Sequence, residues 1–234
     1  MRHLWLFCFV FALPCWSAEP LRVAVAANFR PVLEQLNPAF EAEYGTKVVL
    51  SSASTGVLHN QILHGAPFDV LLAADADTPR ILEQAGLGVS GERHCYARGR
   101  LVLMGASEWL ALTDPGHSLA IANPSTAPYG RAAQQVLERT EFQPGSGRKL
   151  VLGNNAVQTW QFWHSGSVAL ALVPQSLAQD SGLLVPRPWH GVIEQQALLL
   201  QRAAANSLAR AYLQWLGSAT VRRQIQLAGY DSCP

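Results

Sequence analysis

Four short segments put small polar residues where an apolar run gives way to a helical pattern. Asn28 closes the run Leu21–Ala27 ahead of Pro31, and Ser54-Thr55-Gly56 follows the run 47–51. Further on, Pro124-Ser125-Thr126-Ala127-Pro128-Tyr129-Gly130 precedes the helical pattern holding Arg131, and Gly153-Asn154-Asn155-Ala156 precedes the one holding Trp160. A helix start exposes backbone N–H groups that have no partner within the helix, together with the positive end of its dipole. That setting suits an anion. Ser, Thr and Asn are also the preferred N-caps, so one junction alone says little. Four of them could surround one small anion.

Other chemistries lack their residues. The seven histidines are scattered, with no G-x-S-x-G elbow to start a hydrolase triad. His59 and His64 stand five apart, not at the i, i+4 spacing of a zinc helix. Asp75 and Asp77 precede a helical stretch and read as caps. Neither G-x-G-x-x-G nor G-x-x-x-x-G-K-[ST] occurs, so nucleotides lack their usual cradle. Lys+Arg 17 against Asp+Glu 16 leaves no basic surplus for nucleic acid.

The elements carrying the junctions alternate. Strands are expected at 21–27, 47–51, 68–74, 100–104, 119–122, 150–152, 168–173 and 195–201. Helices are expected at 31–44, 55–63, 130–139 and 157–163, after Asp75 or Asp77, and twice near the C-terminus. Gly45 is a natural C-cap for the first helix, and Pro38 should kink or split it. Apolar strands alternating with helices mean an α/β fold with largely parallel sheets. The strand-only stretch near 97–122 suggests a crossing between two lobes, with the return near 183–195. At 234 residues, 49% of them hydrophobic and 14% charged, the chain can bury such cores.

The N-terminus reads as an address. Arg2 and His3 precede ten apolar residues, Leu4–Leu13, then Pro14 and small residues around Ser17. That is the pattern of a secretory signal, and ten residues are about half of what a spanning helix needs. Cleavage after Ser17 is expected; Cys15 as a lipidated cysteine is the alternative, which Pro14 disfavours. Removing residues 1–17 leaves sixteen charges of each sign and two of the four cysteines, Cys95 and Cys233. In an oxidising compartment such a pair reads as one disulfide, or else as two buried thiols.

Val25-Ala26-Ala27-Asn28-Phe29, Ser52-Ala53-Ser54-Thr55-Gly56-Val57-Leu58 and Gly65-Ala66-Pro67-Phe68-Asp69-Val70 resemble the periplasmic molybdate-binding proteins of ABC importers. Ala122–Gly130 and Gly153–Gln158 agree more loosely, in unbroken order. The resemblance implies a two-lobed type II periplasmic binding protein fold, each lobe a mostly parallel sheet flanked by helices. Residues 18–98 with 192–234 would form one lobe and 99–191 the other. The oxyanion would sit between lobes, held by Asn28 (side chain and backbone), Thr55 (hydroxyl and backbone) and the N–H groups of Tyr129 and Ala156. Ala27 and Ser54 belong to the same candidate set. Many members place a tyrosine after the strand 169–173, where this chain has Pro174, so a fifth contact is either missing or supplied elsewhere. Arg30 and Arg131 either add charge to the site or are solvated first-turn residues.

The function so implied is capture of molybdate or tungstate in the periplasm and delivery to a membrane permease. The protein would be a monomer and not an enzyme, with no cofactor and no bare metal cation. Sulfate or another small anion, or an exported enzyme built on the same cleft, are the alternatives.

Overall fold

The computed structural model describes residues 19–179 and 181–234; the expected leader, with Cys15 and the cleavage point near Ser17, lies outside the described residues. The chain begins with β1 (Leu21–Ala26), α1 (Arg30–Tyr44), β2 (Val48–Ala53), α2 (Thr55–Leu63), β3 (Val70–Ala73), α3 (Asp77–Gln84) and β4 (Gly88–Gly99). It continues through β5 (Leu101–Met104), β6 (Leu119–Ala122), α4 (Pro128–Leu137), β7 (Leu150–Gly153), α5 (Ala156–His164), β8 (Leu170–Pro174), α6 (Gln175–Ala178) and β9 (Leu183–Leu184). Then follow β10 (Ile193–Leu200), α7 (Ser207–Leu216) and α8 (Ala219–Leu227).

Two sheets result, ordered β2-β1-β3-β10-β4 and β7-β6-β8-β5-β9, each with helices on both faces. Each is the centre of a lobe. Leucine, valine and phenylalanine side chains fill both faces of the first sheet, as where Phe29, Leu33 and Phe40 of the α1 region meet Tyr212 and Leu216 of α7. The second sheet is packed the same way around Leu103, Ile121, Val136 and Leu172. The chain passes between sheets at Arg100 and returns between Leu184 and Ile193.

The pairing is more mixed than alternation suggests. β1 is parallel to β2 and β3, and β6 to β7 and β8. β10 is antiparallel to β3 and β4, and β5 to β8 and β9. The antiparallel members are those next to the crossings, where the chain enters a sheet without an intervening helix.

α1 also departs from expectation. It begins at Arg30 and runs fifteen residues without a break, with Pro38 inside it. Pro38 faces solvent, while Val32, Leu33, Leu36 and Phe40 are buried on the opposite face. Tyr212 donates its hydroxyl to Asn37 Oδ1 at 2.9 Å. Packing along that face outweighs the hydrogen bond that proline removes. Gly45 closes the helix with φ 62°, in the left-handed region that glycine adopts without strain.

Cys95 on β4 and Cys233 form a disulfide, with Cα atoms 5.9 Å apart. The segment after α8 is thereby fastened to the first sheet, and Asp231 adds a main-chain bridge to Arg98.

Candidate functional site

All four junctions form as the sequence spacing requires, each at the carboxyl end of a parallel strand. This is where open α/β sheets leave room for a ligand. In the first, Ala27 donates to the Ala53 carbonyl at 2.9 Å and Phe29 to the Ala26 carbonyl at 2.9 Å. Between them the Asn28 N–H meets no acceptor among the described residues. The Asn28 side chain is buried and gives its amide protons to Gln195 Oε1 at 2.9 Å and Tyr230 Oη at 3.0 Å. Here the structure revises the expectation for Asn28: its side chain secures the turn, and the backbone N–H is what remains to offer.

At the second junction Thr55 is buried, and its Oγ1 accepts from Ala74 N at 3.0 Å, leaving the hydroxyl proton to donate elsewhere. Ser54 is 4% exposed, yet its hydroxyl makes no hydrogen bond and does not cap α2. A buried hydroxyl without a partner costs free energy. Among the described residues the Thr55 N–H has no acceptor either.

In the second lobe, the Asn123 carbonyl accepts from Thr126 and Ala127 at 3.1 and 2.8 Å and curls the loop so that Pro128 opens α4. Proline suits this first position because its missing N–H is not needed there. The next N–H, of Tyr129, has no acceptor among the described residues. At α5, Asn155 Oδ1 caps Gln158 N at 3.0 Å while Gln158 Oε1 reaches back to Asn154 N at 2.6 Å. This reciprocal cap satisfies two end groups and leaves the Ala156 N–H without an acceptor among the described residues. Asn28, Thr55, Tyr129 and Ala156 thus each carry an N–H without an acceptor among the described residues.

Direct bonds hold the lobes together around these junctions. Gly56 N donates to the Thr126 carbonyl at 2.8 Å, joining the start of α2 to the loop before α4. A Cβ at Gly56 would lie 3.1 Å from Thr126 Cα, so glycine permits this approach. Arg131 pairs with Asp75 at 2.7 Å, and Arg30 pairs with Glu34 at 2.7 Å. Each arginine therefore has a carboxylate partner of its own. Asp75, just ahead of the N-cap position Ala76, accepts from Thr78 N in the first turn of α3 at 3.0 Å.

Sequence reasoning missed two residues. Gln195 on β10 is fully buried; its Oε1 accepts from Asn28 Nδ2 and from Tyr96 Oη at 2.9 Å, and its Nε2 donates to Tyr129 Oη at 3.2 Å. Tyr230, beyond α8, bonds both Asn28 and Ser176. The available signal was Gln195-Gln196 leading into the apolar run Ala197–Leu200, where a buried amide demands partners. Burial pushes the Tyr230 hydroxyl up to about 12, and raises Tyr96 and Tyr129 as well, so these groups keep their protons. Among the described residues no group of His, Cys, Asp and Glu is arranged to hold a metal ion.

Comparison with known proteins gives this geometry a family. The profile for bacterial extracellular solute-binding proteins matches residues 21–231. The chain belongs to that family. Two relatives of this solute-binding protein are the molybdate-binding protein ModA of Azotobacter vinelandii, 38% identical, and that of Rhodobacter capsulatus, 33% identical. The first alignment covers 92% of this chain and 90% of the relative, the second 94% and 90%. The solved periplasmic molybdate-binding protein of Azotobacter vinelandii superposes with a TM-score of 0.84 at 31% identity, over 92% of this chain and 100% of that one. As a member of this family the protein is a binding protein and not an enzyme.

Proposed function

We propose that this protein is the periplasmic receptor of a molybdate importer, closing its two lobes on the oxyanion and presenting it to a membrane permease. The observation that carries the reading is the set of N–H groups at Asn28, Thr55, Tyr129 and Ala156 and the Ser54 hydroxyl, all without a partner among the described residues, together with the Thr55 hydroxyl proton. Molybdate is a fully ionised dianion at neutral pH and accepts hydrogen bonds without giving any. A site of donors alone matches it, and no carboxylate is needed to take up a proton. Hydrogen bonds to a charged partner contribute about 1.5–3 kcal/mol each, so five or six support sub-micromolar binding after ordering costs. Neutral donors also match a chain with sixteen charges of each sign once residues 1–17 are removed. Ala27 helps shape the turn that presents Asn28.

The reading divides the chain into residues 18–98 with 192–234 and residues 99–191, supported by the membership of the two sheets. It has the protein exported, cleaved near Ser17 and working as a monomer. Tungstate, with the same charge and shape, should bind as well, and sulfate should be rejected because it is too small to reach donors of both lobes.

Thermal shift with molybdate, tungstate, sulfate, phosphate and chromate at equal concentrations tests this. A ligand at 100 times its Kd stabilises by about 2.7 kcal/mol. Large shifts with molybdate and tungstate alone are expected; an equal shift with sulfate overturns the assignment.

A further inference from the structure

Residues 229–233 follow α8 and lie along the boundary between the lobes. Gly229 has φ +91°, and a Cβ there would stand 3.3 Å from Gln175 Cγ and from Ser176 N, so the segment rests closely on α6 of the second lobe. Tyr230 comes next and is 4% exposed. Its hydroxyl is within donating distance of the Asn28 carbonyl oxygen and of Ser176 Oγ, each at 2.9 Å, and accepts from Asn28 Nδ2 at 3.0 Å. Its ring stands edge-on to Phe29, centroids 5.4 Å apart. Asp231 exchanges main-chain hydrogen bonds with Arg98 at 2.8 and 2.9 Å and pairs with Arg187 at 2.8 Å, in the return crossing. Cys233 is bonded to Cys95.

Tyr230 therefore touches the Asn28 turn through that residue's carbonyl, its side chain and the neighbouring ring. Resting on Ser176, it also fills the neighbourhood just after Pro174. We propose that Tyr230 is the positioning residue of the Asn28 junction, fixing the direction of the Asn28 N–H, and that the Cys95–Cys233 bridge acts on ligand binding by holding Tyr230 in place. The proposal rests on the reading of Asn28 as an oxyanion donor. The tyrosine is not itself a ligand contact, since its hydroxyl is occupied by protein partners. The disulfide closes a separation of 138 residues, and what it delivers to the site is one hydroxyl and one ring.

The test uses four samples of the full chain: wild type and Tyr230→Phe, each oxidised and reduced with a phosphine. Two quantities are read, amide hydrogen exchange in ligand-free protein and the Kd for molybdate. Tyr230→Phe should speed exchange at the bonded amides of Ala27 and Phe29, leave the amides flanking Ala156 unchanged, and weaken molybdate about tenfold, equivalent to about 1.4 kcal/mol. Reduction of wild type should reproduce both effects, and reduction of Tyr230→Phe should add nothing. A fifth sample, Cys95→Ser with Cys233→Ser, should match the reduced protein without any reductant. Wild-type exchange and affinity in Tyr230→Phe overturn the proposal, as does a further loss when that variant is reduced. A wild type that binds no molybdate but shows the expected exchange pattern removes the molybdate reading and leaves Tyr230 as the positioning residue.

Discussion

Ser54 and Thr55 are neighbours with opposite hydrogen-bond states, and that contrast separates binding from stability. Ser54 has a buried hydroxyl with nothing to bond, so Ser54→Ala removes an unsatisfied group. Its unfolding free energy should stay level or rise, while molybdate affinity falls about tenfold, the loss of one bond to a charged partner. Thr55 Oγ1 satisfies the buried N–H of Ala74, so Thr55→Val should cost about 1–3 kcal/mol of stability as well as affinity. Urea melts and titration calorimetry on the pair check this, and equal stability losses in both variants contradict it. The proposed donor set of backbone N–H groups and hydroxyls also makes binding insensitive to pH from about 6 to 9, where histidine, free cysteine and the α-amino group ordinarily titrate and Cys95 and Cys233 are bridged. A flat calorimetric affinity across that range is expected. The junction residues were legible from the sequence because cap chemistry is local. Gln195 and Tyr230 were not, because they meet Asn28 across 167 and 202 residues.

Helices and strands were read well where their periodicity was complete and poorly where a partner decided the outcome. α2 and β6 have the expected bounds, since each has a clear apolar pattern and a sharp stop. β4 was invisible: its sequence, GVSGERHCYARG, is half-exposed and polar, and only pairing with β10 makes it a strand. α1 survives Pro38 for a reason that is likewise tertiary. Pro38→Ala should therefore raise stability by about 1–3 kcal/mol, measured by urea unfolding, because the N–H toward Glu34 is restored in an already packed helix. Gly130 has the opposite sensitivity. A Cβ there would run into the Ala122 carbonyl oxygen, so α4 lies against β6 only because the position is bare. Gly130→Ala should lower stability by about 1–3 kcal/mol and, by lifting α4, weaken molybdate through the displaced Tyr129 N–H. Unchanged affinity in that variant would detach Tyr129 from the site.

At the scale of the whole molecule, the lobes are joined by bonds that need no ligand: Gly56 to Thr126, Arg131 to Asp75 and Tyr230 to Ser176. Arg131→Gln should speed molybdate release severalfold with little change in capture rate, followed by the fluorescence of Trp160 near the Ala156 junction. Arg131 is half-exposed, so the difference from wild type should shrink as salt is raised. The sheet order carries a different consequence. β10 lies between β3 and β4, yet every strand of the second sheet falls between residues 101 and 184, ahead of β10 in the chain. As the chain is synthesised, the second sheet is complete while the first still lacks the strand that joins its halves. The order of maturation is thus the reverse of the order of synthesis. Until residue 200 is out, β3 has one open edge and β4 lacks its sheet neighbour, and that interval is when the nascent chain is most exposed to aggregation and most in need of an escort.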